Sequence, residues 1–164
     1  MYKRNLKNLQ KEILLLEKKL ESIVKQEDAD SLSRLESIPG MGRKTAVMLL
    51  ISTDYMKRFD SASQLCSYTG TIPVIRQSGT SIKGKARIRK MGSRKLRNLL
   101  FMCSFNAMKY NKACQALFDR IVAKGKSKKL ALIAVCNKLS KQAFAIIKNG
   151  LRYDENYRSL KQQP

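Results

Sequence analysis

The sequence predicts a mostly α-helical protein: an N-terminal coiled-coil helix, then a helical domain containing a helix-hairpin-helix and one short extended or β-hairpin segment near 71–89. Three observations lead there. Leucine and isoleucine recur at alternating spacings of three and four from Leu6 to Ile23, the seam of a heptad helix. The chain has 164 residues, 43% of them hydrophobic, enough for one core. Most of the remainder carries apolar residues at helical spacing. The exception is "VIRQSGTSIKGKARIRKMGSRKLR" at 74–97, where lysine and arginine alternate with small and apolar residues.

Residues 1–28 form the coiled-coil helix, with Leu6, Leu9, Ile13, Leu16, Leu20 and Ile23 on the seam and mixed charges such as Glu12, Glu17, Lys18 and Glu21 elsewhere. Glu27-Asp28-Ala29-Asp30 breaks the seam and is expected to be a loop ending in an N-cap. The main domain covers 31–150. It opens with a helix-hairpin-helix at 31–53: a short amphipathic helix carrying Leu32 and Leu35, the turn Ile38-Pro39-Gly40-Met41-Gly42, and a second helix from about Arg43. Gly40 and Gly42 would let a backbone phosphate come close, the N–H groups of the second helix could bind it, and Arg43 and Lys44 stand beside the turn. The alternative is a helical hairpin whose glycines serve only tight packing.

Asp60 is expected to cap a short helix over Ser61–Tyr68 that stops at Gly70. Extended chain follows over 71–81, since Pro73 suits no central strand. Gln77-Ser78-Gly79 can turn, and Ile82 to Ile88 can return as a second arm. Ser93 is an N-cap for a helix to about Lys109, burying Leu96, Leu99, Leu100, Cys103 and Ala107. A helix over about 113–124 closes at Gly125, and Ser127 caps a last helix that ends at Asn149-Gly150. Residues 151–164 form a polar tail, expected to fray.

The net charge is +22, but its placement matters more. Residues 1–60 hold 12 bases and 9 acids, whereas 61–153 hold 20 bases and the single acid Asp119. From 61 to 118 there is no acid at all. A solvated face normally mixes both signs, so a polyanion is the partner this pattern calls for. No run of about eighteen apolar residues is present and the N-terminus lacks a signal-peptide pattern, so no membrane partner is expected. Cys66, Cys103, Cys114 and Cys136 lie far apart among apolar neighbours, which reads as four reduced core thiols in a cytoplasmic protein.

The chain has no histidine, so Ser–His and Cys–His mechanisms are excluded. A two-metal nuclease needs converging carboxylates, which the basic region lacks, so no metal site is expected in this chain. Hydroxyl nucleophiles in a cationic setting remain. Ser78 precedes Gly79, whose missing Cβ leaves room for a phosphate, and Ser81 is the runner-up. Arg76, Lys83, Lys85, Arg87 and Arg89 could neutralise a pentavalent phosphate, with Lys90, Arg94 and Arg97 extending the basic surface.

These residues, taken together, resemble the C-terminal domain of the DEDD-type transposases of bacterial insertion sequences, the group that includes the Piv and MooV invertases. The matching stretches include Ile38-Pro39-Gly40-Met41-Gly42 with Thr45-Ala46, Phe59-Asp60-Ser61-Ala62, Arg76-Gln77-Ser78-Gly79, Lys124-Gly125-Lys126 and Lys148-Asn149-Gly150, over about 32–150. The resemblance implies a two-part enzyme: a RuvC-like N-terminal domain carrying a D-E-D-D cluster with Mg2+, then a coiled coil that pairs subunits, then a domain with a serine nucleophile at the position of Ser78. It implies DNA as substrate and an element-encoded guide RNA as a further partner. The acidic domain is not represented in this sequence, so recombination by this chain alone is not expected, and it binds no cofactor of its own. Thr69, Thr71 and Ile72 replace the small apolar residues usual between Tyr68 and Pro73. The other reading is a non-catalytic helix-hairpin-helix module that binds DNA or RNA and oligomerises through its coiled coil.

Overall fold

In the computed structural model, which describes residues 1–74, 77–78, 82–83, 87–88 and 92–156, the heptad helix and the short helix after it are one element. This is α1, Tyr2–Glu36, and only Asp28 inside it leaves helical geometry (φ −157°, ψ 79°). The loop expected over 27–30 is therefore a one-residue kink. The Asp28 carboxylate accepts from the Ser31 amide at 2.8 Å and from the Ser31 hydroxyl, so Asp28, not the end of the stretch, caps the helix that follows. Burial pulls its pKa upward, but the Ser31 hydrogen bonds outweigh that and hold it below the ordinary value.

Helix α1 runs through two environments, and the change comes before the kink. Leu6, Leu9, Ile13 and Leu16 are 54–59% exposed, whereas Val24, Leu32 and Leu35 are buried. The last turns of the heptad helix thus belong to the core, and its first four turns carry an apolar face that no described residue covers.

Helix α2, Arg43–Thr53, packs on α1 and ends at Asp54 in the left-handed region. Asp54, Tyr55 and Met56 all have positive φ, an arrangement that costs about 1–2 kcal/mol per residue. Two contacts offset it. Met56 is fully buried and its amide donates to Thr53 Oγ1 at 3.2 Å, and the Tyr55 hydroxyl donates to Glu27 at 2.7 Å.

Helix α3, Ala62–Thr69, is capped by Ser61 rather than by Asp60. Ser61 Oγ accepts from the Gln64 amide at 3.3 Å, while Gln64 Oε1 accepts from the Asp60 amide at 2.8 Å, so each side chain satisfies an otherwise unpaired N–H. The expected hairpin is present as four two-residue strands: β1 (Pro73–Val74), β2 (Gln77–Ser78), β3 (Ile82–Lys83) and β4 (Arg87–Ile88). They pair antiparallel as β1 with β4 and β2 with β3.

Three helices complete the body: α4 (Arg94–Tyr110), α5 (Lys112–Ala123) and α6 (Lys128–Asn149). Ser93 and Ser127 cap α4 and α6 as the sequence predicts, accepting from the amides of Leu96 and Leu130. Asn111 caps α5, a role the sequence reading missed. It is fully buried: Oδ1 accepts from the Cys114 amide at 3.1 Å and from the Tyr153 hydroxyl at 3.0 Å, while Nδ2 donates to Gln142 at 3.1 Å.

Helix α6 is the centre of the core, in contact with α1, α3, α4 and α5. By length and composition it could cross a membrane, which the expectation of no long apolar run did not foresee. Here its apolar positions, Val135, Leu139 and Ala143 among them, are buried by the other helices, and its exposed positions include Lys128, Lys129, Lys141 and Lys148. Leu35, Leu49, Leu50, Leu65, Leu96 and Leu100 complete the same core, each burial stabilising by roughly 2 kcal/mol.

Where the tail is described, over residues 151–156, it does not fray. It lies back on the domain. The Tyr153 amide donates to Ser37 Oγ at 2.9 Å, Arg152 donates to Ser33 at 3.0 Å, and Glu155 pairs with Lys112 at 2.9 Å.

Candidate nucleic-acid interface

The root of the hairpin is built on the C-terminus of α3. Gly70, at φ 68°, ends that helix, and the Thr71 amide returns to the Cys66 carbonyl at 3.0 Å. On the returning side the Ser93 amide donates to the Tyr68 carbonyl at 2.8 Å. Gly92, at φ +100°, lies so close that a Cβ there would sit 2.4 Å from the same carbonyl oxygen. Both ends of the basic segment are thereby pinned to one helix end. Thr69 and Thr71, where small apolar residues were the usual pattern, are buried. Their hydroxyls are 3.1 Å apart, Thr69 donates to the Cys66 carbonyl at 3.2 Å, and Asn137 donates to the Thr71 carbonyl at 3.4 Å. The two hydroxyls satisfy each other and the cap, so the departure costs no unpaired polar group.

Above this root the register is Pro73 opposite Ile88 and Val74 opposite Arg87, then Gln77 opposite Lys83 and Ser78 opposite Ile82. Ser78 is thus paired directly with Ile82, and three residues separate the two in sequence. Ser81, Gly79, Arg76, Lys85, Arg89 and Lys90 lie outside the described residues. Arg94 and Arg97 start α4, directly after the pinned Gly92–Ser93 step, with Arg94 exposed and Arg97 half-buried.

The residues of the first turn are placed differently. Gly40 has φ +94°, and a Cβ on it would lie 2.5 Å from the Ala107 amide nitrogen. Its absence of a side chain is thus needed for packing against α4. Gly42 is the N-cap of α2, with nothing within 4 Å of where a Cβ would stand. Arg43 reaches back to α1: Nε to Glu36 at 2.5 Å, Nη2 to Glu36 at 3.3 Å and Nη1 to Glu21 at 3.2 Å. The hydrogen bond and charge of Glu36, followed by Glu21, raise the guanidinium pKa above its ordinary value. Glu21 is lowered in turn, first by Lys25 and then by Arg43. Lys44 pairs with Glu17. The α1 carboxylates therefore already neutralise both cations of this turn.

The two candidate elements also stand apart. Ala107 is fourteen residues beyond Ser93, about 21 Å along α4 at 1.5 Å per residue, so turn and hairpin root mark opposite ends of that helix. The structure brings Arg94 and Arg97 to the hairpin and keeps Arg43 and Lys44 away from its root.

Glu17, Glu21, Glu36 and Asp30 are each paired with a cation, and among the described residues no three His, Cys, Asp or Glu side chains converge. The four cysteines are free and buried, as the sequence predicts. Burial pushes the thiol of Cys114 up to about 11 and that of Cys136 up to about 12, and raises Cys66 as well. A thiolate nucleophile is not what these residues supply.

The transposase IS116/IS110/IS902 family matches residues 32–119. An insertion element IS110 uncharacterized 43.6 kDa protein of Streptomyces coelicolor is 34% identical over 120 residues, 73% of this chain and 29% of that protein. The pilin gene-inverting protein of Moraxella bovis is 37% identical over 127 residues, 75% of this chain and 38% of its own length, and that of Moraxella lacunata matches to the same extent. This chain belongs to the transposase IS116/IS110/IS902 family. It spans roughly a third of the length of these relatives.

Proposed function

We propose that this chain is the DNA-binding, serine-bearing part of a transposase or site-specific recombinase, with Ser78 as the nucleophile. The observation that carries the reading is a hairpin of the acid-free segment 61–118, pinned at both ends, in which Ser78 pairs with Ile82. Family membership and the inverting activity in the names of the Moraxella relatives support recombination as the reaction class. In the proposed step Ser78 Oγ forms a bond to phosphorus and the scissile P–O bond breaks. The strand end leaves as a hydroxyl and the phosphate stays esterified to serine, ready for reversal onto another end. The serine proton needs an acceptor, and neither a histidine nor an acid between 61 and 118 supplies one. That group comes from outside the hairpin, and the cations of the segment stabilise the developing charge.

DNA is the substrate in this reading, and an element-encoded guide RNA is a second polyanion the same charge would accept. The exposed face of Leu6, Leu9, Ile13 and Leu16 supports a coiled coil between two copies. A non-catalytic binding module with the same oligomerising helix is the competing reading, and the first-turn glycines do not favour it, since Gly40 serves packing.

The deciding experiment is Ser78→Ala in the full-length enzyme. Strand cleavage and any covalent protein–DNA adduct are expected to vanish while nucleic-acid affinity stays within about twofold, because one neutral hydroxyl adds little to charge-dominated binding. Normal recombination by Ser78→Ala together with loss in Ser81→Ala would move the role to Ser81. Normal recombination by both would end the catalytic reading.

A further inference from the structure

Beside the hairpin root, α4, α6 and the end of α3 enclose a cleft of about 170 Å3. Its apolar lining includes Ile133, Cys136 and Phe101. The Phe101 ring is held edge-on by Phe105, with centroids 5.2 Å apart and planes at 83°. Its rim is polar and carries no acid: Asn98, Arg97 and Lys129. Lys129 is exposed and forms no ion pair with any described residue. Gly70 and Thr71, where the chain departs into the hairpin, close the remaining side.

Size and chemistry restrict the occupant. Pockets for drug-sized ligands run to about 300–1,000 Å3, so this one suits a single flat ring system. An aromatic ring in an apolar lining can offer a face to stack on, and every nucleobase has such a face. A base within a duplex is stacked on both sides and presents only its edge, so the face is available only from an unpaired nucleotide. The surrounding positive charge favours an anionic occupant, a polyanion most of all, and disfavours a cationic one.

We propose that this cleft binds one unpaired nucleotide of the strand held along the hairpin, its base on Phe101 beside Ile133 and its phosphate at Lys129 and Asn98. The inference rests on the nucleic-acid reading above and specifies where a strand opens on this surface. An unpaired base captured at the hairpin root would hold the neighbouring backbone in register with the hairpin.

The test uses the whole chain and a short duplex carrying a single bulged 2-aminopurine, against the same duplex fully paired, each as DNA and as RNA. Binding is read at fixed salt, together with 2-aminopurine fluorescence. The bulged duplex is expected to bind about tenfold tighter than the paired one, with a fluorescence change on capture. Phe101→Leu, which keeps apolar volume in the partly buried position, is expected to remove both the preference and the fluorescence change. Asn98→Asp, on an exposed position that needs no repacking, should do the same by placing a carboxylate beside the phosphate. The backbone that shows the preference identifies the strand. Equal binding of bulged and paired duplexes, or a preference that survives both substitutions, overturns the cleft assignment and leaves the nucleic-acid reading standing. Failure of every oligonucleotide to bind overturns both.

Discussion

Gly40 and Ala107 meet backbone to backbone: a Cβ on Gly40 would lie 2.5 Å from the Ala107 nitrogen and 2.6 Å from its Cα. The close approach joins the turn between α1 and α2 to the far end of α4, and it explains a glycine that a phosphate-binding motif would also explain. The two explanations make different predictions. Gly40→Ala combines positive φ with a clash against backbone, so we expect a loss of about 2–4 kcal/mol in unfolding free energy. Gly42→Ala meets open space and is expected to cost less than about 1 kcal/mol, measured by urea denaturation. Equal, small effects at both positions would show that packing is not what Gly40 provides.

Salt dependence separates the two basic elements. If about six to ten basic residues of the segment reach phosphates, log K falls with log[salt] at a slope of roughly −5 to −9. Arg87→Ala is expected to make that slope shallower by about one. Arg43→Ala and Lys44→Ala should change it by much less, since Glu21, Glu36 and Glu17 already hold those charges. Instead they should loosen α1 against α2, seen as faster amide exchange in residues 17–36. A full unit of slope lost in Arg43→Ala would return the first turn to the interface.

The apolar face of α1 gives the third expectation. Leu9 and Leu16 lie before the Asp28 kink, outside the core, so Leu9→Asp or Leu16→Asp should dissociate an oligomer while leaving the helical domain folded. Light scattering and circular dichroism check the two halves of this statement. A wild-type chain that is already monomeric at micromolar concentration would contradict it.

The buried thiols give the fourth. With Cys114 pushed up to about 11 and Cys136 to about 12, the native protein should react slowly with a disulfide reagent at pH 8 and yield four thiols after denaturation. Their sign also fixes a pH trend. The folded state keeps protons that the unfolded chain releases above its ordinary thiol pKa of 9.0, so stability should fall as pH rises from about 9 toward 11–12. Rapid labelling of one or more thiols in the native state would show that the core admits reagent there.

Local chemistry alone determined the caps of two helices, the break near Asp28, the buried stripe of Leu96, Leu100, Cys103 and Ala107, and the two arms around Ser78. Each depends on neighbours within a few residues: a hydroxyl that accepts an amide two or three positions on, a glycine that takes positive φ, an apolar repeat that matches one helical turn. The tertiary structure decided the rest. Whether Arg43 and Lys44 face a phosphate depends on where Glu17, Glu21 and Glu36 stand, and those acids arrive only when α1 packs on α2. Gly40 reads alike as a phosphate contact or a packing site until Ala107, 67 residues later in sequence, is placed against it. Asn111 as a cap was legible from its local chemistry, but its second role, receiving the Tyr153 hydroxyl from the docked tail, joins residues 42 apart and needed the fold. The cleft at Phe101 exists because α3, α4 and α6 converge there, and pairwise convergence of distant segments is information that no single stretch of sequence carries.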